Sequence, residues 1–203
     1  MSHIQHSENH LDIVLKEIAA GKEKAIEDFY HSHYNNLIKF GQTITQDRPA
    51  VEDAIQNLLI WLIENPRKIR RLDRADIYFY RALRNNLIKD QIQARKNIEK
   101  EVNETISQLL ITESPEKNWM DKEEEQEITA MLQAEIRELP DYLQQTLYLR
   151  YFSDLPYKDI SEILEVKPNV ARIYVHRAIE RLRSTLQKLQ PLLGPVLLAF
   201  FYR

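Results

Sequence analysis

Apolar residues recur along this chain at spacings of three and four, and β-branched runs are short. That periodicity predicts amphipathic helices rather than strands. Residues 11–40 read as two helices broken near Gly21. Residues 49–63 predict a strongly amphipathic helix. Its core stripe is Val51, Ile55, Leu58 and Leu62, and Asp53, Gln56, Asn57 and Glu64 lie opposite, with Ile60 among them. A polar face with an apolar residue at its centre suits docking as well as plain solvation. Another helix is expected from a cap at Asp76 to about Lys96, with Phe79, Leu83 and Leu87 inside. Helical periodicity returns from Ile128 to Glu138, is interrupted at Pro140, and resumes from Tyr142 to Phe152. The chain is therefore expected to be all-α.

The sharpest pattern follows. A short amphipathic helix from Tyr157 ends near Leu164, the connection Glu165-Val166-Lys167 is tight, and Pro168 opens a longer helix. Proline loses nothing at a first helical position, where its missing N–H would be unpaired anyway. Two helices joined so briefly form a helix-turn-helix, whose second helix can enter a DNA major groove. At roughly 100° per residue, Ala171, Val175, Ala178 and Leu182 form its core stripe. Asn169, Arg172, Ile173, His176 and Arg183 lie opposite, with Arg177 beside them. Asn and Arg can pair with base edges, Ile can meet a thymine methyl, and Arg can hold phosphate. A solvated basic helix closing a bundle is the plainer alternative.

Charge sharpens this picture. The net charge of −3 hides blocks of opposite sign. Residues 67–96 hold ten Lys/Arg against three acids, a net +7. Residues 97–127 hold three Lys against ten acids, a net −7. Residues 166–188 hold six Lys/Arg against one acid, a net +5. Phosphate responds to such local fields rather than to the sum. In the first basic block, Tyr78 and Tyr80 are interleaved with Arg81, Arg84, Asn85 and Lys89. That mixture suits a single strand, whose bases stack while its phosphates pair, although Tyr80 fits the core better. The acidic stretch, with Thr112-Glu113-Ser114-Pro115, reads as a linker. The absence of cysteine excludes disulfides and thiolate metal sites and fits a reducing compartment. The six histidines show no ligand spacing, and three glycines provide no phosphate loop, which argues against a nucleotide-using enzyme. The polar first ten residues predict no signal peptide and hence a cytoplasmic protein.

In order and spacing these segments resemble the extracytoplasmic-function sigma factors of the sigma-70 family, over roughly residues 11–190. Asp53, Gln56, Asn57 and Leu59 are similar to that family's Asp-x-x-Gln-Glu-x-Phe. Tyr78-Phe79-Tyr80-Arg81-Ala82-Leu83-Arg84-Asn85 resembles its Trp-Leu-Tyr-Arg-Ile-Ala-Arg-Asn. Leu139-Pro140, Leu149-Arg150-Tyr151, Leu155-Pro156-Tyr157-Lys158-Asp159-Ile160-Ser161 and Tyr174-Val175-His176-Arg177-Ala178 resemble its second lobe. Five positions depart: Asn57 replaces Glu, Glu165 replaces a turn Gly, Lys167 replaces a capping Ser, and Val170-Ala171 replaces Thr-Val.

The resemblance implies two helical domains joined by an acidic linker, the second a helix-turn-helix of the winged-helix-like, sigma region 4 type. The implied boundaries are 1–96, 97–131 and 132–190, followed by an apolar tail, 191–203. It also implies a protein that binds core RNA polymerase and directs promoter-specific initiation, including melting. Asp53, Gln56, Asn57 and Ile60 would dock on polymerase. Arg70, Arg71, Arg74, Tyr78, Arg81, Arg84, Asn85 and Lys89 would hold the non-template single strand of the minus-ten element. Lys167, Asn169, Val170, Arg172, Ile173, His176 and Arg177 would read the minus-thirty-five duplex. Partners are then polymerase, promoter DNA and an anti-sigma factor, with no cofactor, metal, catalysis or membrane insertion. Two rivals stay open: a helix-turn-helix regulator that never joins polymerase, and a helical adaptor that binds only protein. The tail from Pro191 to Arg203 can fold back on the chain or serve a partner.

Overall fold

The computed structural model describes residues 4–102 and 132–193, all of them helix, turn or irregular with no strand among them. Helix α1, Ile4–Ala19, buries Leu11, Val14, Leu15, Ile18 and Ala19, the one-sided stripe its spacing requires. It ends at Gly21, where φ is +80°. The Lys22 N–H reaches back to the Glu17 carbonyl at 3.2 Å, closing a left-handed C-terminal motif that glycine adopts without strain. Helix α2, Glu23–Phe29, passes through a π-helical turn, Tyr30–Tyr34, into α3, Asn35–Gly41.

Helix α4, Arg48–Glu64, starts where expected because the Asp47 carboxylate accepts from the Ala50 N–H at 3.1 Å and Pro49 stands in its first turn. After the short α5, Pro66–Ile69, comes α6, Ala75–Val102. Two details of α6 differ from expectation. Asp76 does not cap it: it lies inside the first turn, buried, and pairs with Arg74. The cap comes from α1, whose Asp12 carboxylate accepts from the Ala75 N–H at 2.6 Å across 63 residues of sequence. The helix also continues six residues beyond Lys96.

Phe29, Phe40, Phe79, Leu15, Ile55, Leu62, Leu83 and Leu87 are fully buried between these helices. Phe79 meets Phe29 edge-on at 5.8 Å.

Beyond the undescribed stretch, residues 132–137 are helical. Helix α7, Asp141–Leu147, runs through a second π-helical turn, Tyr148–Phe152. Then come α8, Tyr157–Leu164, and α9, Pro168–Leu193. Leu139, Leu143, Leu147 and Ala178 form a small cluster of their own. Tyr148, Leu149, Leu155, Ile160, Ile163, Leu164 and Ala171 instead join the cluster that also contains Phe79, Leu83 and Leu87 of α6. The Tyr148 ring packs 6.0 Å from Phe40, and its hydroxyl donates to the Asn36 carbonyl at 2.8 Å. The part of the expected linker past Val102, and the tail from residue 194, lie outside the described residues.

Candidate nucleic-acid interface

The helix-turn-helix is built by a turn with defined chemistry. Glu165 sits in the left-handed region, φ 56° and ψ 43°, and the Val166 N–H donates to the Ser161 carbonyl at 3.0 Å. This is the motif that ends α1, with Glu in place of Gly; a side chain there costs on the order of 1 kcal/mol. Val166 packs half-buried on the core, the apolar contact that accompanies this motif. Lys167 starts α9 through its backbone alone, its carbonyl accepting from Val170 and Ala171, because its side chain has no acceptor.

The faces of α9 separate as the periodicity predicts. Ala171, Val175 and Ala178 are buried, whereas Lys167, Asn169, Arg172, Ile173, His176 and Arg177 are exposed and Val170 is half-buried. Arg172 lies over the Tyr157 ring at 5.3 Å and Arg150 approaches the same ring at 5.1 Å. This aromatic support for Arg172 is not legible in the α9 sequence, since Tyr157 belongs to α8. His176 lies 3.4 Å from Glu180 one turn on.

A second set of polar side chains gathers on α6 and the loop before it. Arg70, Arg71 and Lys89 are exposed, while Tyr78 and Arg81 are half-buried. Tyr78 stacks on Trp61 of α4 at 5.6 Å. Lys68 caps the Trp61 ring at 5.5 Å and Arg81 the Tyr78 ring at 6.0 Å. Trp61 and Lys68 were missed by periodicity, because packing of α4 on α6 brings Trp61 to Tyr78 and Lys68 of α5 reaches the Trp61 ring. Tyr80 is a core residue, 5.1 Å edge-on to Phe40, and burial raises its phenol pKa.

The other three residues of this set turn toward the C-terminal segment. Arg74 grips Asp76 through two hydrogen bonds and reaches Asp159 at 3.1 Å. The bond to Asp76 raises the Arg74 pKa most. Arg84 donates to the buried Gln145 at 2.9 Å, and Asn85 donates to Glu165 at 3.0 Å. Burial pulls the Arg84 pKa down, partly opposed by Glu165.

On α4, Asp53, Gln56, Asn57 and Ile60 share one exposed face, and Ile63, which the sequence argument did not select, is exposed near them. Two isoleucines about half open to solvent lie among the polar side chains there. Among the described residues, no three His, Asp or Glu side chains come together as a metal site.

An exposed Asn/Arg/Ile/His face on the second helix of a helix-turn-helix, on a chain with another basic, aromatic face, defines a DNA-binding protein of helical class. Comparison with known proteins goes further. Residues 129–182 match the family model described as Sigma-70, region 4. The chain is 27% identical over 161 residues to the ECF RNA polymerase sigma factor SigM of Bacillus subtilis (strain 168), covering 78% of this chain and 93% of the relative. Its fold is similar to that of the sigma factor RpoE of Bartonella quintana, solved in complex with the anti-sigma factor NepR. The TM-score is 0.54 at 16% identity, over 79% of this chain and 98% of the other. The chain thus resembles extracytoplasmic-function sigma factors both by its motifs and by these matches.

Proposed function

We propose that this protein is a sigma factor of the extracytoplasmic-function type: it binds core RNA polymerase, brings it to a set of promoters and assists their melting. The observation that carries this is the exposed reading face of α9 within a segment that matches sigma region 4. The division into an N-terminal domain (1–96), acidic linker (97–131), helix-turn-helix domain (132–190) and tail (191–203) belongs to the same proposal. Lys167, Asn169, Val170, Arg172, Ile173, His176 and Arg177 read the minus-thirty-five duplex. Arg70, Arg71, Arg74, Tyr78, Arg81, Arg84, Asn85 and Lys89 hold the displaced strand of the minus-ten element. Asp53, Gln56, Asn57 and Ile60 dock on polymerase.

The protein acts by binding and performs no catalysis of its own. It works in the cytoplasm, and among the described residues no helix is long and apolar enough to cross a membrane. An anti-sigma factor is a fitting partner, as the solved relative was captured with one. A regulator that never joins polymerase is not favoured, since it leaves the α4 face and the α6 block unused. Adding the purified chain to core polymerase and genomic promoter fragments should yield discrete transcripts that core alone does not make. Failure to bind core, or transcripts no different from core alone, would refute the proposal.

A further inference from the structure

Trp61 belongs to neither the proposed polymerase-docking set nor the proposed strand-binding set, yet it stands where they meet. It follows Ile60 on α4 and is half-buried. Tyr78 of α6 stacks on its indole, with 5.6 Å between ring centres and 25° between planes. The Lys68 ammonium of α5 stands over the indole at 5.5 Å, and the Arg81 guanidinium stands over the Tyr78 ring at 6.0 Å. Two stacked rings thus carry one cation each.

The rings and the cations are held differently. Leu62 follows Trp61 into the core, and Ile77 and Phe79 flank Tyr78 there, so both rings are set by packed helices. Lys68 is exposed, whereas Ile69 beside it is completely buried. The backbone at Lys68 is therefore fixed while its four-carbon stem can swing. An exposed cation–π contact is weaker than the stack of a base on an aromatic ring. A base brought to the indole wins that exchange, and the ammonium is released beside a strand that carries phosphates. Its surroundings suit phosphate: residues 66–71 hold four cations and no acid, and all four cations are exposed.

We propose that Trp61 is a further strand-binding residue. One base of the displaced strand replaces the Lys68 ammonium on the indole, and Lys68 then pairs with a phosphate of the same strand. The inference rests on the strand-capture reading above and adds to it one stacking position beyond Tyr78. The exchange gives that position a preference of its own. A purine covers more of an indole than a pyrimidine does, so stacking favours adenine or guanine there without a hydrogen bond to either. Trp61 lies on α4 and not on α6, which is why the aromatics interleaved with cations along α6 did not reveal it.

The test uses the full chain with core polymerase and a promoter fragment that the pair transcribes, its minus-ten element held open by mismatches. Each unpaired base of the non-template strand is removed in turn, leaving its sugar and phosphate. We expect one position at which base removal weakens binding about tenfold, the scale of one lost stack, and at which a purine binds more tightly than a pyrimidine. In Trp61→Leu, which keeps an apolar side chain between α4 and α6, removing that base should cost less than about twofold, because ring and base are lost as one contact. Other positions should keep their sensitivity, and Trp61→Phe should restore part of the lost one. A 5-iododeoxyuridine at that position should photocrosslink to Trp61 in the unaltered chain, a readout that needs no variant to fold. Lys68→Ala should leave the contribution of that base in place and lower the salt dependence of binding by about one phosphate contact. The proposal is overturned by a base-removal pattern that Trp61→Leu does not change, by a crosslink that maps elsewhere, or by a salt dependence that Lys68→Ala does not change. Strand capture by Tyr78 and its neighbours survives each of those results. If no unpaired position responds to base removal in the unaltered chain, strand capture falls and this proposal falls with it.

Discussion

At the scale of single residues, two buried positions make sharp predictions. His33 is buried in the π-helical turn, where its Nε2 and the Nδ1 of His10 share a hydrogen bond of 2.8 Å. Burial foremost, and the neighbouring His10 next, lower its pKa to about 4. A histidine held neutral when folded but protonated near pH 6.5 when unfolded makes the unfolded chain bind more protons between those values. Stability is then flat above about pH 6.5 and falls as the pH drops toward 4, by about 1–2 kcal/mol after allowing for water that still reaches the ring. Thermal melts across that range should show the fall, and His33→Gln should flatten it. A slope that persists in the variant would place the titration elsewhere. Gly41 is the other position. A Cβ there would run into the Val51 side chain, which is completely buried. The helix-propensity gain of alanine, about 1 kcal/mol, is outweighed by overpacking against a stiff β-branched side chain, which costs about 1–3 kcal/mol. Gly41→Ala should therefore lower the melting temperature by a few degrees, and Val51→Ala in the same chain should recover part of the loss.

At the scale of elements, the sequence showed where local rules decide. The α4 stripe, the α6 core residues and the α9 faces followed from spacing, because a helix repeats every 3.6 residues whatever surrounds it. The connection at Glu165 was legible as tight from spacing, and the family resemblance marked it as a place where glycine is usual. What was not legible came from contacts distant in sequence. Asp76 looked like a cap, but α6 is started by Asp12 of another helix, a bond that no local motif encodes. Trp61 joined the basic face through its stack on Tyr78, and the C-terminal acceptors that Arg74, Arg84 and Asn85 reach, Asp159, Gln145 and Glu165, sit at least 61 residues away. Asp12→Ala should cost about 1–2 kcal/mol, as loss of a cap does, and should fray the start of α6 selectively. Amide exchange of the first α6 turn would rise well before that of its middle; uniform protection would mean that Asp12 contributes nothing specific.

At the scale of the whole molecule, the proposed functions occupy three surfaces, and each can be disabled without the others. Arg172 rests on Tyr157 and otherwise faces solvent, so Arg172→Ala should leave the fold intact. It should cost about 1–3 kcal/mol of discrimination at promoters that depend on their upstream element. Equal loss on scrambled upstream elements would make Arg172 a phosphate contact instead. The α4 face is the surface to which the proposed function assigns polymerase rather than DNA. Asp53 lies on it with Ile60, 52% exposed, and Ile63, 48% exposed. An apolar centre with a charged margin is what a protein partner covers. Asp53→Arg reverses the charge at that margin, and the cost of juxtaposing like charges can reach several kcal/mol in a desolvated contact. Ile60→Ala removes apolar contact without changing charge. Both should lower affinity for core polymerase, Asp53→Arg at least tenfold and Ile60→Ala by less, with no change in helicity or in binding of isolated promoter duplex. Competition against the unaltered protein for a limiting amount of core measures both. If the two variants compete as well as the unaltered chain, α4 is not the docking helix and its exposed isoleucines belong to some other contact.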